Sequence, residues 1–216
     1  MLIGYWPLNE NSGDTAYDHS GNENHGSLND GVTKGVAGPL KQKSYSFGES
    51  NSYVESARNC GISGSDPVTI SAWAKANSST GWQMLAGFHI GQNAGNHFAL
   101  AITGNDEWGL HGWSDADFSS GITPDNQWHH IVATYNGSTL RYYIDGKEAP
   151  NSPFNFNFNI QNAKMFLGVE EERLEHWYTG KLSEVRLYNR PLTQSEIQYL
   201  YNTSKRGQQV TSKKTS

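Results

Sequence analysis

Residues 128–147 read WHHIVATYNGSTLRYYIDGK, and this stretch decides the fold. Two runs rich in β-branched and aromatic residues, 128–135 and 139–145, flank Asn136, Gly137, Ser138 and Thr139. Asn and Gly tolerate positive φ, so this loop can reverse the chain between antiparallel strands. In the second run Leu140, Tyr142 and Ile144 alternate with Arg141, Tyr143 and Asp145, giving one apolar and one wetter face. The first run is apolar on both faces, since Ile131 and Val132 are adjacent, as expected of a central strand. Asp145 and Gly146 supply a second turn. The pattern is a meander from the middle of an antiparallel sheet.

Working outward, the spacing predicts strands over 68–74, 82–89, 97–103 and 107–113, the last three forming a meander with turns at 91–95 and 104–105. Residues 2–8 read as a strand and 9–26 as a loop rich in Asn, Asp, Ser and Gly. The chain is Gly-rich and irregular to residue 43, with short strands at 44–47 and 53–55. Residues 153–160 alternate Phe154, Phe156, Phe158 and Ile160 with Asn155, Asn157 and Asn159. They form either an edge segment with its Phe face in the core, the preferred reading, or an exposed Phe ridge for a partner. Strands at 165–169 and 182–189 complete the sheets. Thr193 to Glu196 has the capping-box form, and Leu192 can staple against Ile197, predicting a helix from Thr193 to about Asn202. Residues 204–216 are polar and basic and are expected to be a disordered tail after a single module over 1–203.

The 216 residues include 12% aromatics, 23 glycines and one cysteine, with a net charge of −5. That length suits one all-β domain with a full core. The charge and the lack of a basic stripe argue against nucleic acid. Cys60 alone permits no intrachain disulfide. No apolar run reaches transmembrane length, so membrane insertion is not expected. Met1 leads directly into strand-like sequence with no visible signal peptide.

The hairpin resembles that of laminin-G-like modules, within the concanavalin A-like lectin and glucanase group. Two further stretches agree in order, GYWPLNE at 4–10 followed by DHSGNENHG at 18–26, and GKLSEVRLYNRPL at 180–192. The resemblance spans about residues 2–203. It implies an all-β fold, a two-sheet antiparallel β-sandwich (jelly roll), with a short C-terminal helix. It also implies a structural calcium ion (Ca2+), with Asp18 giving its side chain and Asn22 and His25 their carbonyls. The final ligand of such modules is acidic, but Ser183 stands at that position with Glu184 beside it. The alternative is a metal-free loop closed by hydrogen bonds.

A sugar site needs rings to stack on C–H faces and a few polar groups to read hydroxyls. Trp82, His89, His97, Trp108, His111 and Trp113 fall in the middle meander. If the Leu110 face is core, then His111, Trp113 and the loop with Asp115 and Asp117 line an accessible surface, joined by Trp82 and His89. The competing reading places each Trp in the core, where Trp6 and Trp128 are expected. A glucanase would need paired carboxylates on one strand face. The acidic cluster at 170–175 lacks that pattern and reads as a solvated loop. The expected function is therefore non-catalytic recognition of a glycan or surface glycoprotein, at an extracellular surface or on a virion. The alternative is a structural protein of a virus particle (a decoration, turret or tail component) packing on virion or cell-surface proteins.

Overall fold

The chain forms two antiparallel sheets that enclose one apolar core. A computed structural model describes residues 1–48, 51–76, 81–170 and 176–206. The nine-stranded sheet runs Lys147–Glu148, Thr139–Ile144, Trp128–Tyr135, Val68–Ala76, Gly180–Tyr188, Lys43–Phe47 and Thr33–Ala37. Leu2–Trp6 also pairs with Gly180–Tyr188, and Phe154–Asn155 with Thr139–Ile144. The eight-stranded sheet runs Phe118–Ser119, Trp108–His111, Phe98–Ile102, Gln83–Phe88, Lys164–Leu167, Val54–Asn59, Gly26–Leu28 and Thr15–Ala16. This is the antiparallel β-sandwich expected from the hairpin and its resemblance.

The hairpin behaves as its sequence dictates. Asn136 Oδ1 accepts from Ser138 N and Thr139 N, while Gly137 takes φ 104°. Asp145 and Gly146 both have positive φ (53° and 75°), the turn whose twist matches the flanking strands. Leu140, Tyr142 and Ile144 enter the main core, as do Ile131, Ala133 and Tyr135 from the neighbouring strand.

The other face of that strand needs a second cover, and the C-terminal helix, Gln194–Arg206, supplies it. Thr193 Oγ1 accepts from Glu196 N at 3.3 Å, and Glu196 Oε2 accepts from Thr193 N at 2.8 Å. Leu192 and Ile197 pack with Val132 and Tyr143 in a separate cluster. Tyr201 stacks on Trp73, and His130 lies beside both. The helix entrance is tied to the sheet through two hydroxyls. Leu192 N donates to Thr69 and Thr134 Oγ1, both at 3.1 Å, and the Thr69 hydroxyl donates to the Arg190 carbonyl at 2.8 Å.

Several expectations are corrected. The region through residue 43 is not irregular: it holds Thr15–Ala16 and Thr33–Ala37 at sheet edges and Gly26–Leu28 one strand in, short polar strands defined by pairing rather than by alternation. Trp128 is half-exposed at the start of its strand, whereas Trp6 and Trp108 are core. The Phe ridge folds inward, with Phe158 and Ile160 buried and Phe154 and Phe156 half-buried against the core. Residues 204–206, assigned to the tail, continue the helix, and 207–216 lie outside the described residues.

Ile197 is fully buried and Tyr199, two residues on, is 68% exposed. Ile197→Ala is expected to lose about 2–5 kcal/mol of stability, and Tyr199→Ala to change it by less than about 0.5 kcal/mol. Urea unfolding of both variants checks this, and equal losses would show that the helix does not roof the sheet.

Candidate functional site

Among the described residues no α-helix covers the outer face of the eight-stranded sheet, and the residues singled out for a sugar site gather there. Phe98, Leu100 and Ile102 point into the core, while Ala99 and Ala101 form a small outer cluster with Met84 and Trp82. Register places His111 beside Ala99, Ala99 beside Gly87, and Gly87 beside Phe166. A Cβ at Gly87 would lie 2.3 Å from the Ala99 Cβ, so the middle of this row admits only small residues. Aromatic groups rise on either side. Trp82 sits 4.9 Å from His111 between ring centroids, and Trp113 lies 5.1 Å from His97. On the far side Tyr53 packs on Phe166 and Trp177.

Trp113 is held by a neighbouring carboxylate. Asp117 Oδ1 accepts from Gly112 N and Trp113 N at 2.9 Å, and meets His111 Nδ1 at 3.0 Å. Trp113 itself takes φ 74°, ψ 123°, a region that bulky residues seldom occupy. The half-buried ring is thus presented on a strained but pinned backbone. Asp115 is exposed on the same turn.

Two expectations change here. His111 is only 5% exposed and His89 is fully buried, so neither lines an open surface as expected. Each is covered because small Ala99 and Gly87 let neighbouring rings close over the face; His89 packs edge-on to His97 and His97 edge-on to His111. Glu170, read as part of a solvated loop, is 0% exposed. Its Oε2 meets His176 Nδ1 at 2.5 Å. Burial pushes its carboxyl up, but the His176 hydrogen bond and the nearby His111, His176 and His97 outweigh this and hold it below the ordinary glutamate range. The remainder of the acidic cluster, 171–175, lies outside the described residues. No signal in the sequence marked Glu170, since its partners come from 97, 111 and 176.

In the Asp18–Gly26 loop, several atoms expected to hold calcium are already engaged in hydrogen bonds within the protein. Asp18 Oδ1 accepts from Tyr5 N and Ser20 N, and Oδ2 from Ser20 Oγ and Asn24 N, all within 2.9 Å. Burial pushes its carboxyl up, yet these donors win and keep it below the usual aspartate value. The His25 carbonyl accepts from Ala57 N and its Nδ1 from Asp18 N. The Asn22 amide donates to Ile3 O and Ser20 Oγ. Ser183 Oγ is buried between the carbonyls of Pro7 and Lys43. Glu184, on a bulge at φ 57°, accepts from Tyr5 OH and Arg186. The Asp18 carboxylate, the His25 carbonyl and the Glu184 carboxylate are thus engaged by protein donors, a pattern that suits the hydrogen-bonded loop weighed as the alternative.

Asp18→Ala is accordingly expected to lose about 2–4 kcal/mol, equally in EDTA and in millimolar calcium. A calcium-dependent rise in the wild-type melting temperature that vanishes in the variant would restore the metal reading. A second outcome concerns acid. Burial holds His89 well below its usual value, His97 at about 4 and His130 at about 3. The unfolded chain takes up these protons near pH 6.5 while the folded chain does not, so stability falls as pH falls from there towards about 4. Each histidine contributes about 1.4 kcal/mol per pH unit in that window, about 4 for the three. Urea midpoints measured in EDTA should drop steeply between pH 7 and 5, and His130→Phe should flatten the slope by about a third. A flat profile would mean these rings are not buried as neutral groups.

Comparison with known proteins fits this architecture. A laminin-G family model described as the concanavalin A-like lectin/glucanases superfamily matches residues 47–198. No curated protein sequence matches the chain. The binding domain of Paraclostridial Mosquitocidal Protein 1 is 19% identical with a TM-score of 0.73, over 94% of this chain and 52% of that one. The chain thus spans about half of that structure's length. Domain 4 of AbnA, a GH43 extracellular arabinanase from Geobacillus stearothermophilus solved with arabinotriose, is 22% identical with a TM-score of 0.70, over 93% of this chain and 98% of that one. Trypanosoma rangeli sialidase in complex with sialic acid is 14% identical with a TM-score of 0.69, over 93% of this chain and 32% of that one. At such identities the likeness establishes a shared fold. With the family match covering most of its length, the chain belongs to the concanavalin A-like lectin/glucanase superfamily.

Proposed function

We propose that the chain is a non-catalytic carbohydrate-binding module that uses the outer face of the eight-stranded sheet around Trp113 and Trp82. The observation that carries this is Trp113, held half-exposed at positive φ by Asp117, with the half-exposed Trp82 meeting the same His111 ring. A flat ring on a rigid backbone suits the apolar face of a sugar, and it loses little entropy on binding. The arabinotriose-bound domain of the arabinanase supports a glycan as ligand. A glycan ligand suits a place on an extracellular surface or a virion. The assembly reading has less support, because the Phe154–Phe158 side chains it would use turn inward.

Chemistry speaks for binding without turnover. A glycosidase acid needs a raised pKa, whereas Glu170 lies below its ordinary value under the His176 bond. Asp117 has its Oδ1 engaged by three groups. An open groove of about 590 Å³ lined by Ser138, Thr139, Asn155, Phe156 and Asn157 carries no titratable side chain.

Titration calorimetry with arabinotriose and a panel of oligosaccharides tests the proposal. Trp113→Ala should weaken binding by about 30-fold, as for a central aromatic worth about 2 kcal/mol, and leave the melting temperature nearly unchanged. Incubation with arabinan and laminarin should release no reducing ends. Absence of binding across a broad glycan array, or hydrolysis that disappears in Glu170→Gln, would sink the reading.

A further inference from the structure

Beneath Trp82 and Trp113 lies a cluster that glycan stacking does not explain. One ligand atom from each of His97, His111 and Glu170 lies within 4.8 Å of the other two, and all three residues are buried. Nε2 of His111 and Oε1 of Glu170 have no hydrogen-bond partner among the described residues, and the His97 ring has only a backbone contact with Gly91 that falls short of full hydrogen-bond geometry. Each such orphan costs about 1–3 kcal/mol when left unmet.

The second atoms of two of these side chains are already engaged in an orienting way. Asp117, a carboxylate that also takes two backbone N–H groups, accepts from His111 Nδ1. The neutral ring then presents the Nε2 lone pair. His176 Nδ1 holds Glu170 Oε2, leaving Oε1 directed elsewhere. Carboxylate-to-histidine and histidine-to-carboxylate bonds of this kind are how proteins aim metal ligands. Two acceptors therefore converge beside a third imidazole, and what they lack is a cation.

We propose that His97, His111 and Glu170 form a site for a zinc-type divalent transition metal. Two imidazole nitrogens and one carboxylate oxygen suit such an ion. Calcium, which takes six to eight oxygens, does not match the set. Ligand atoms around a tetrahedral ion stand about 3.3 Å apart, so side-chain shifts of about an ångström close the site. The three ligands come from the turn before Phe98–Ile102, the end of Trp108–His111 and the segment after Lys164–Leu167. An ion there cross-links three separate parts of the outer face whether or not a sugar binds above it. Three protein ligands leave a fourth position for water.

The test uses the full chain, stripped with EDTA, dialysed and titrated with cobalt chloride and zinc chloride. One equivalent of cobalt should give a visible d–d band of low coordination number, displaced by zinc, with a melting temperature raised by several degrees. Glu170→Gln and His97→Ala should each lose the band and weaken binding by at least 10-fold, while Asp18→Asn should keep both. Should His97→Ala fail to fold, X-ray absorption of the zinc-loaded wild type carries the same information, since it should report two imidazoles and a light oxygen ligand. No tight cobalt or zinc binding by the folded wild type, a shell without imidazole, or binding unchanged in Glu170→Gln would overturn the proposal.

Discussion

A strand that is apolar on both faces needs two covers. Trp128–Tyr135 sends Ile131, Ala133 and Tyr135 into the sandwich and His130 and Val132 the other way. The main core provides the first cover and the C-terminal helix the second. Because Thr69, Thr134 and Leu192 tie the helix entrance to the middle of the sheet, the helix is an integral part of the fold rather than an appendage. The burial of His130 under Tyr201 follows from that roof, and so does its unwillingness to take a proton.

The two outer faces diverge for the same reason. One sheet spends its outer face on the helix. Among the described residues the other has no such cover, and small residues at Gly87 and Ala99 let aromatic and histidine side chains settle over it. Those rings are too buried to be decoration and too polar to be ordinary core. Stacking surface lies at the rim, in Trp82 and Trp113, and convergent polar atoms lie beneath it. A single carboxylate, Asp117, serves both layers by fixing the Trp113 backbone and the His111 ring.

What could be read from sequence was local. The hairpin and the capping box each lie within one stretch, and each stands as its residues imply. The short edge strands near the N-terminus escaped because Gly and polar residues carry no alternation, and their partners lie far along the chain. Glu170 escaped for a related reason: a carboxylate is buried only when distant groups receive it, and nothing beside it in the chain names them. Trp128 was assigned to the core by residue type, but a strand's first residue can stand outside the layer its neighbours fill. In the Asp18 loop the residues expected at an ion site stand together, and backbone N–H groups from along the loop donate to the carboxylate, a local pattern the sequence did not spell out.

The backbone at Trp113 has a consequence for how this surface can change over time. Glycine would occupy φ 74° without strain, so the indole persists there against the local preference of the chain. Asp117 grips main-chain atoms at 112 and 113, while the indole itself packs edge-on to His97 and His111. The bracket that fixes the backbone is therefore separate from the histidine rings that meet the indole, and a change at 113 alters the second without loosening the first. Any diversification of the contact surface at 113 is therefore read directly by the buried histidine layer, while the turn that carries it keeps its shape.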